Sequence, residues 1–267
     1  NFDGVDYLVI VCCHGIFHPD ASAPDFPAHT PHDERNWHLA PFQKSNPETG
    51  KPGEHETFLA HVLAGCDALR NGPLARGDRA VLMLSGGATK QTLTSLSEAR
   101  SYYHAALAHE LMRGSRGEGG VQSLFKRDRL LLEEHATDSL QNLLFSILLF
   151  RRKTGRYPKQ IRIITHAFKA RRFLELHAPA IKWPSHRVQV QGIDPIMSKT
   201  DLEETIKGEQ EHGFAPWLED PLGTGEKLGR KRKQRGWDET TASRLVEGLE
   251  EPVKALMNGT VSEDLPW

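Results

Sequence analysis

A polar segment that directly follows an apolar run carries the strongest chemical signal of the sequence. It reads Thr-His-Ala-Phe-Lys-Ala-Arg-Arg and spans residues 165–172. Lys169 and Arg172 are three residues apart, so on a helix they share one face. Two cations near the start of a helix favour a phosphate or a carboxylate. We predict that Thr165, Lys169 and Arg172 bind an anionic ligand; a solvated basic turn is the alternative.

The Ser-Gly-Gly sequence at 85–87 is a second candidate, because it also follows an apolar run. Glycine lets the backbone turn tightly and bring its N–H groups close to an anion. The segment matches neither the GxxxxGK[ST] phosphate loop nor the GxGxxG dinucleotide fingerprint. There is also no GxSxG nucleophile elbow, so no acyl-forming serine is predicted. We predict that Ser85, Gly86 and Gly87 help to bind the anion; a simple turn is the alternative.

Three residues could supply acid–base or metal chemistry, namely His14, Glu98 and Glu133. His14 ends the first apolar run, and Glu133 ends the third. A carboxylate at such a place can bind a hydroxyl group, bind a metal ion or act as a base. Glu98 also fits a capping box with Ser95, which is its structural alternative. Asn142 is polar in an apolar helical pattern, and we predict that it binds the ligand or hydrogen-bonds to a neighbouring loop.

Two long segments could close over these residues. Residues 16–57 form a connection that is unusually long for a compact domain, which is typical of a lid. The second is a basic run from 227 to 235, in which Lys231, Arg232 and Arg235 are candidate ligand-binding residues. The pairs His14/His18 and His29/His32 have loosely ligand-like spacing, but without a cysteine pair or an HExxH motif they predict no fixed zinc site.

The candidates are positioned by short apolar runs that alternate with helical patterns. Continuous apolarity is typical of strands buried on both faces of a parallel sheet. We predict an α/β fold of the Rossmann-like, doubly wound kind with a mainly parallel sheet. Ligands of such sheets bind at the carboxyl ends of the strands, where the candidates should line one pocket. The predicted strands are Tyr7–Cys13, Arg79–Leu84, Leu130–Leu132, Ile161–Thr165 and Arg187–Ile193.

Helices are predicted between and after these strands. Ser95 and Asp138 are the expected N-caps of two of them. We treat residues 1–267 as a single domain with a lid-like insertion at 16–57 and an extension at 218–267. The extension holds the basic segment and a C-terminal helix. The predicted helices are Phe58–Leu69, Ser95–Met112, Ser139–Arg152, Lys169–His177 and Thr240–Met257.

The composition restricts the class of protein. The 267 residues include 34 basic and 35 acidic ones, for a net charge of −1, which disfavours nucleic acid as a partner. No apolar run approaches the ~18 residues that a membrane helix needs, so no membrane contact is expected. Three cysteines do not make a disulfide framework. We therefore expect a reducing compartment and a cytoplasmic location.

Four motifs follow one another along the chain: Leu-Ser-Gly-Gly (84–87), Ser-Glu-Ala (97–99), Glu-x-x-Ala-x-Asp-Ser-x-Gln-Asn (133–142) and Thr-x-x-Phe-Lys-x-x-Arg (165–172). In this order they resemble the family of bacterial ElyC, SanA and YdcF proteins, a domain of unknown function. The segments Cys13–Ile16, Trp37–Gln43, Asn142–Ser146 and Lys231–Arg235 resemble more closely its soluble eukaryotic, chiefly fungal branch. The resemblance implies a Rossmann-like fold. Bacterial members are linked to envelope biogenesis, and one is reported to bind S-adenosylmethionine. This chain has Lys169 where those proteins usually have histidine, and Gln141-Asn142 where they usually have Glu-Asn.

These observations lead to one expectation and two alternatives. We expect an enzyme, hydrolytic or group-transferring, that acts on a small phosphorylated or otherwise anionic metabolite. The first alternative is a non-catalytic protein that binds a nucleotide or S-adenosylmethionine. The second is a scaffold that contacts a partner through the basic segment. A divalent metal ion and S-adenosylmethionine stay open as cofactors, and the oligomeric state is not predicted.

Overall fold

The computed structural model describes residues 2–18, 29–71, 79–114 and 119–267. Its main sheet has the strand order β5-β4-β1-β6-β7, and every neighbouring pair is parallel. β2 and β3 form a small antiparallel hairpin within the segment 16–57. In chain order the strands are β1 (Tyr7–Cys12), β2 (Ile16–Phe17), β3 (Trp37–His38), β4 (Ala80–Ser85), β5 (Leu130–Glu133), β6 (Gln160–Thr165) and β7 (Val188–Gly192).

Helices cover both faces of this sheet, which is the doubly wound α/β arrangement that the sequence predicts. One face packs against α1, α2 and α3, and the other packs against α4 and the C-terminal helices. The helices are α1 (His55–Arg70), α2 (Glu98–Met112), α3 (Val121–Lys126), α4 (Ser139–Thr154), α5 (Ala178–Ala180), α6 (Lys199–Gly208), α7 (Ala215–Glu219), α8 (Glu226–Gln234), α9 (Glu239–Leu245) and α10 (Glu251–Met257). None of these helices is long and apolar enough to cross a membrane.

The central strands are buried on both faces, as their continuous apolar runs predict. Val9 and Ile10 of β1, Val81 of β4, and Ile163 and Ile164 of β6 are fully buried. Burial of side chains on both faces is the reason that these runs do not alternate with polar residues. The loops that follow the carboxyl ends of the strands are therefore held at a rigid edge of the sheet.

Three predicted helices differ from the structure in their capping residue, their continuity or their helix type. The N-cap of α2 is Ser97, whose side chain accepts from the Arg100 N–H, and not Ser95. The predicted helix Thr240–Met257 is two helices, because Gly248 between α9 and α10 has a φ of +74°, which no α-helix continues. After β6 the chain forms a 3₁₀ turn (Ala167–Lys169) and a π-helical segment (Arg172–His177) instead of a regular α-helix.

The N-terminus of α4 is built as predicted. Asp138 caps the helix by accepting a hydrogen bond from the Gln141 N–H at 2.9 Å. The Gln141 side-chain oxygen accepts from both the N–H and the hydroxyl of Thr137, at 2.8 and 2.7 Å. These bonds fix the loop between β5 and α4, which lies at the carboxyl edge of the sheet.

Candidate functional site

His14, Thr165 and Lys169 meet where β1 and β6 end. Lys169 Nζ donates to His14 Nδ1 at 3.4 Å, which leaves Nε2–H to donate to Thr165 Oγ1 at 3.1 Å. Burial and the charge of Lys169 hold the His14 pKa well below its usual value, so the imidazole is neutral. Burial and the nearby Arg172 lower the pKa of Lys169 to about 8. Lys169 therefore gains or loses its proton close to pH 8.

The backbone of His14 is fixed from both sides of this edge. Its N–H donates to the Tyr102 hydroxyl of α2 at 3.0 Å. Its carbonyl accepts from Gln43 Nε2 at 3.0 Å. Gln43 belongs to the segment 16–57, and Trp37 of the same segment is buried. The part of this insertion that the structure describes from residue 29 onward is thus packed against the site; residues 19–28 lie outside the described residues.

Three residues that lie close to His14 are not among the site residues that the sequence predicts, namely His61, His166 and Glu54. The ring of His166 lies 4.7 Å from that of His14 and 5.0 Å from that of His61, measured between centroids. His166 is 1% exposed, and both of its ring nitrogens lack a hydrogen-bond partner. Glu54 Oε2 lies 3.7 Å from His166 Nε2, and burial raises the Glu54 pKa. Only the position of His166 directly after β6 could have indicated it; nothing in the sequence links His61 or Glu54 to this place.

Ser85, Glu133 and Asn142 form a second, fully internal cluster. Ser85 Oγ donates to Glu133 Oε2 at 2.6 Å, and Asn142 Nδ2 donates to the Ser85 Oγ and carbonyl at 2.9 and 2.8 Å. Asn142 therefore hydrogen-bonds within the protein, to the last residue of β4 rather than to a loop. Glu133 Oε1 accepts from the N–H groups of His135 and Ala136. Burial nevertheless raises the Glu133 pKa to about 7. These bonds tie the ends of β4 and β5 to α4.

Gly86 and Gly87 serve close packing rather than offering free N–H groups. The Gly86 N–H donates to the Glu133 carbonyl at 3.0 Å, and the Gly87 N–H donates to the Ala136 carbonyl at 2.7 Å. A Cβ at Gly86 would lie 2.8 Å from Glu98 Cβ. A Cβ at Gly87 would lie 3.0 Å from the Ala136 oxygen. Because both N–H groups already have acceptors, this geometry does not present them to an anion.

Glu98 lies in the first turn of α2, directly against Gly86. Its carboxyl accepts from the Thr89 hydroxyl at 2.5 Å and is 8% exposed as a residue. Burial raises its pKa to about 7, although Thr89 and the charges of Arg235, Lys90 and Lys169 oppose the shift. The capping-box role with Ser95 is therefore wrong, and Glu98 instead places a carboxyl near several cations.

Arg172 faces a partner that the sequence analysis did not identify. Its Nε donates to Glu209 Oε1 at 2.8 Å, and its Nη2 donates to Glu209 Oε2. Its Nη1 donates to Ser139 Oγ at 3.0 Å. The shared face with Lys169 that a regular helix would give is replaced by 3₁₀ and π geometry, and Arg172 is ion-paired within the protein.

The three candidate residues of the basic segment have different surroundings. Arg232 is buried and donates to Asp138 Oδ2 at 2.5 Å and to the Leu222 carbonyl at 2.9 Å. The predicted ligand-binding role of Arg232 is corrected, because a core carboxylate and a carbonyl occupy its guanidinium. Arg235 is half-buried and donates to the Thr137 carbonyl at 2.8 Å. Lys231 is exposed as a residue. Partial desolvation of its ammonium group and the charges of Arg235 and Arg172 lower its pKa.

The predicted site residues at this edge of the sheet form two clusters. Ser85, Glu133 and Asn142 form the inner cluster and have partners for their polar groups. His14, Thr165 and Lys169 form the other cluster, and Glu98 interacts electrostatically with Lys169 and Arg235. Within the described ranges, no group of three or more His, Cys, Asp or Glu side chains is arranged to hold a metal ion.

Comparison with known proteins gives one informative similarity. The chain is 27% identical to "Uncharacterized protein YOR238W" of Saccharomyces cerevisiae, over 97% of this chain and 96% of the yeast protein. The similarity therefore extends over the strands, the insertion and the C-terminal extension together. No protein-family model matches the chain. No solved structure matches it either.

Proposed function

We propose that this chain is a cytoplasmic enzyme that acts on a small phosphorylated or otherwise anionic metabolite, by hydrolysis or group transfer. The observation that carries the proposal is the gathering of titratable side chains at one edge of the sheet, where Lys169 contacts His14 and Glu98 packs against Gly86. The pKa of Glu98 is raised to about 7, and that of Lys169 is lowered to about 8. Groups whose pKa values are moved toward neutrality are typical of catalytic sites.

In this proposal the two groups have separate roles. Lys169 binds the anionic group of the substrate; the neutral His14 accepts from its ammonium, and Thr165 orients the His14 ring. Glu98 exchanges a proton with the reacting group, since it populates both protonation states near pH 7. Glu133 is a positioning residue, because both of its oxygens accept hydrogen bonds from Ser85 and the following backbone.

One alternative has an observation in its favour. The Phe168 ring stacks on His166 with centroids 4.8 Å apart, and Lys169 Nζ lies 5.7 Å from the Phe168 ring centre. Aromatic rings beside a cation also suit a nucleotide or S-adenosylmethionine, so a non-catalytic binding protein is the second candidate. The scaffold alternative has less support, because Arg232 and Arg235 of the basic segment bond to the body of the protein.

The proposal is tested by a thermal-shift screen of the purified chain against phosphorylated metabolites, nucleotides, S-adenosylmethionine and divalent ions. A compound present at 100 times its Kd stabilises a folded protein by about 2.7 kcal/mol. Compounds that stabilise the chain are then incubated with it, and products are followed by phosphate release and mass spectrometry. We expect a phosphorylated compound to bind and to be turned over.

Three variants make the result specific. Lys169→Ala should weaken binding, and Glu98→Gln should bind the compound but lose turnover. Lys126→Ala is the matched control, since Lys126 is an exposed lysine at the end of α3. Equal binding by Lys169→Ala and Lys126→Ala would contradict the role of Lys169. Binding without turnover would favour the non-catalytic alternative.

A further inference from the structure

The carboxylate of Glu209 occupies a place that an anionic ligand would fit. Arg172 holds it in a two-pronged pair, Nε to Oε1 at 2.8 Å and Nη2 to Oε2. The two side chains are 13% and 11% exposed, so the pair is largely shielded from water. The charge of Glu209 also opposes the lowering of the pKa of both Lys169 and Lys231, so this carboxylate interacts electrostatically with these two cations as well as with Arg172.

Arg172 is held in position without Glu209. Its Nη1 donates to Ser139 Oγ at 3.0 Å, and this hydroxyl lies 2.7 Å from Nε2 of the buried His177. The guanidinium is thus oriented by the first turn of α4 and by the core. A phosphate group can accept from such a fork in the same two-pronged way as a carboxylate.

The segment that supplies Glu209 is weakly attached to the rest of the fold. α6, directly before Glu209, contains no buried residue. Ile196, which precedes α6, and Ile206, near the end of α6, are 84% and 50% exposed. After Glu209 the first buried residue is Phe214, followed by Pro216 and Trp217. Both Arg172 and Glu209 begin π-helical segments, which occur frequently at functional sites.

We propose that Arg172 binds the phosphate of a ligand beside Lys169, and that the Glu209 carboxylate occupies the place of this phosphate until the ligand displaces it and releases α6. This inference rests on the proposed function, which it deepens by adding a second phosphate-binding cation to Lys169 and by naming its internal competitor. Lys231 would then contact the phosphate together with Arg172 and Lys169. An empty site is in this way kept closed without leaving a buried arginine unpaired.

Two variants separate the pair by different means. Glu209→Gln removes the competing charge. Gly213→Ala keeps both charges but introduces a Cβ that would overlap with Arg172 Nη2 and Glu209 Oε2, so the pair must open. Glu175→Gln is the matched control, because Glu175 forms the same two-pronged pair with Arg171, at 2.9 Å for each bond, on the exposed side of the same segment.

The probe is inorganic phosphate, measured by calorimetric titration and by melting curves. Glu209→Gln and Gly213→Ala should bind phosphate at least about tenfold more tightly than the wild type. Glu175→Gln should bind like the wild type, and adding Arg172→Ala to Glu209→Gln should abolish the gain. In the wild type, high phosphate should speed amide hydrogen exchange in α6, which needs no variant to fold.

The inference is overturned if neither folded variant binds phosphate more tightly than the wild type, or if Glu175→Gln gains equally. Unchanged exchange of α6 at high phosphate would also overturn it. These outcomes leave the proposed function standing where a substrate is turned over and the Lys169→Ala and Glu98→Gln variants behave as stated above. Conversely, a gain in phosphate binding without any turnover would leave this inference standing and remove the enzymatic proposal.

Discussion

Lys169 Nζ lies 3.4 Å from His14 Nδ1, so the ammonium at the end of β6 donates to a neutral imidazole at the end of β1. The contact joins two neighbouring parallel strands across residues that are 155 positions apart in the chain. It also places the Lys169 ammonium in surroundings where burial and Arg172 lower its pKa to about 8. This shift has a measurable consequence for stability.

Lys169→Met should change the pH dependence of the free energy of unfolding. An unfolded lysine has a pKa of about 10.4, so between pH 8 and 10.4 the unfolded chain binds more protons than the folded one. The wild type should therefore gain stability relative to Lys169→Met as the pH rises through this window. Urea unfolding of both chains at several pH values measures the difference, in which the buried cysteines, common to both, cancel. A constant difference would contradict the lowered pKa.

Glu98→Gln should stabilise the protein while removing the proposed proton-exchange group. The folded Glu98 pKa of about 7 lies above the unfolded value of about 4.3, so the folded state binds more protons between these values. The stability of the wild type should fall relative to the variant as the pH rises from 4.3 to 7, and stay lower above it.

The size of this effect follows from the shift. One pKa unit corresponds to about 1.4 kcal/mol, so Glu98→Gln should be about 3–4 kcal/mol more stable than the wild type at pH 8 and nearly equal at pH 4. Arg171 lowers the pKa of the exposed Glu175 carboxyl, so the wild type should not lose stability relative to Glu175→Gln as the pH rises. A Glu98→Gln variant that is less stable at pH 8 than at pH 4, relative to the wild type, would refute the argument.

The sequence could predict those site residues that lie at the carboxyl ends of strands. Ser85, Glu133 and Thr165 each end an apolar run, and a parallel sheet brings such residues to one edge. Local signals also sufficed for the Asp138 cap. The pairing of Arg172 with Glu209 could not be predicted, because it depends on how the segment 193–219 folds back over the sheet edge. The same holds for the Ala136 carbonyl, which takes the Gly87 N–H that sequence alone would leave free.

Asn142→Ala should destabilise the fold. Asn142 is the donor that ties α4 to both the hydroxyl and the carbonyl of Ser85, and all of these groups are buried. Removing a buried partner costs about 1–3 kcal/mol, and the cavity left by the side chain adds to this. Asn258→Ala, at an exposed position after α10, should stay within about 0.5 kcal/mol of the wild type. Urea unfolding measures the free energy of unfolding of both variants. Similar values would show that the cluster of Ser85, Glu133 and Asn142 does not hold the strand ends.

Arg232→Ala should destabilise the protein far more than a neighbouring substitution in the same helix. Arg232 and Asp138 are 11% and 12% exposed as side chains, and Asp138 is also the N-cap of α4. Removing one partner of a buried pair typically costs 3–5 kcal/mol, because the other charge stays buried without compensation. Lys233→Ala removes an equal charge from α8, but Lys233 is 69% exposed and pairs with the exposed Glu239, so its loss should cost at most about 0.5 kcal/mol. Melting curves and urea unfolding of both variants measure the contrast. The expected loss of stability would show that Arg232 attaches the basic segment to the body of the protein. A loss of ligand binding in Arg232→Ala with unchanged stability would instead show that Arg232 binds the ligand.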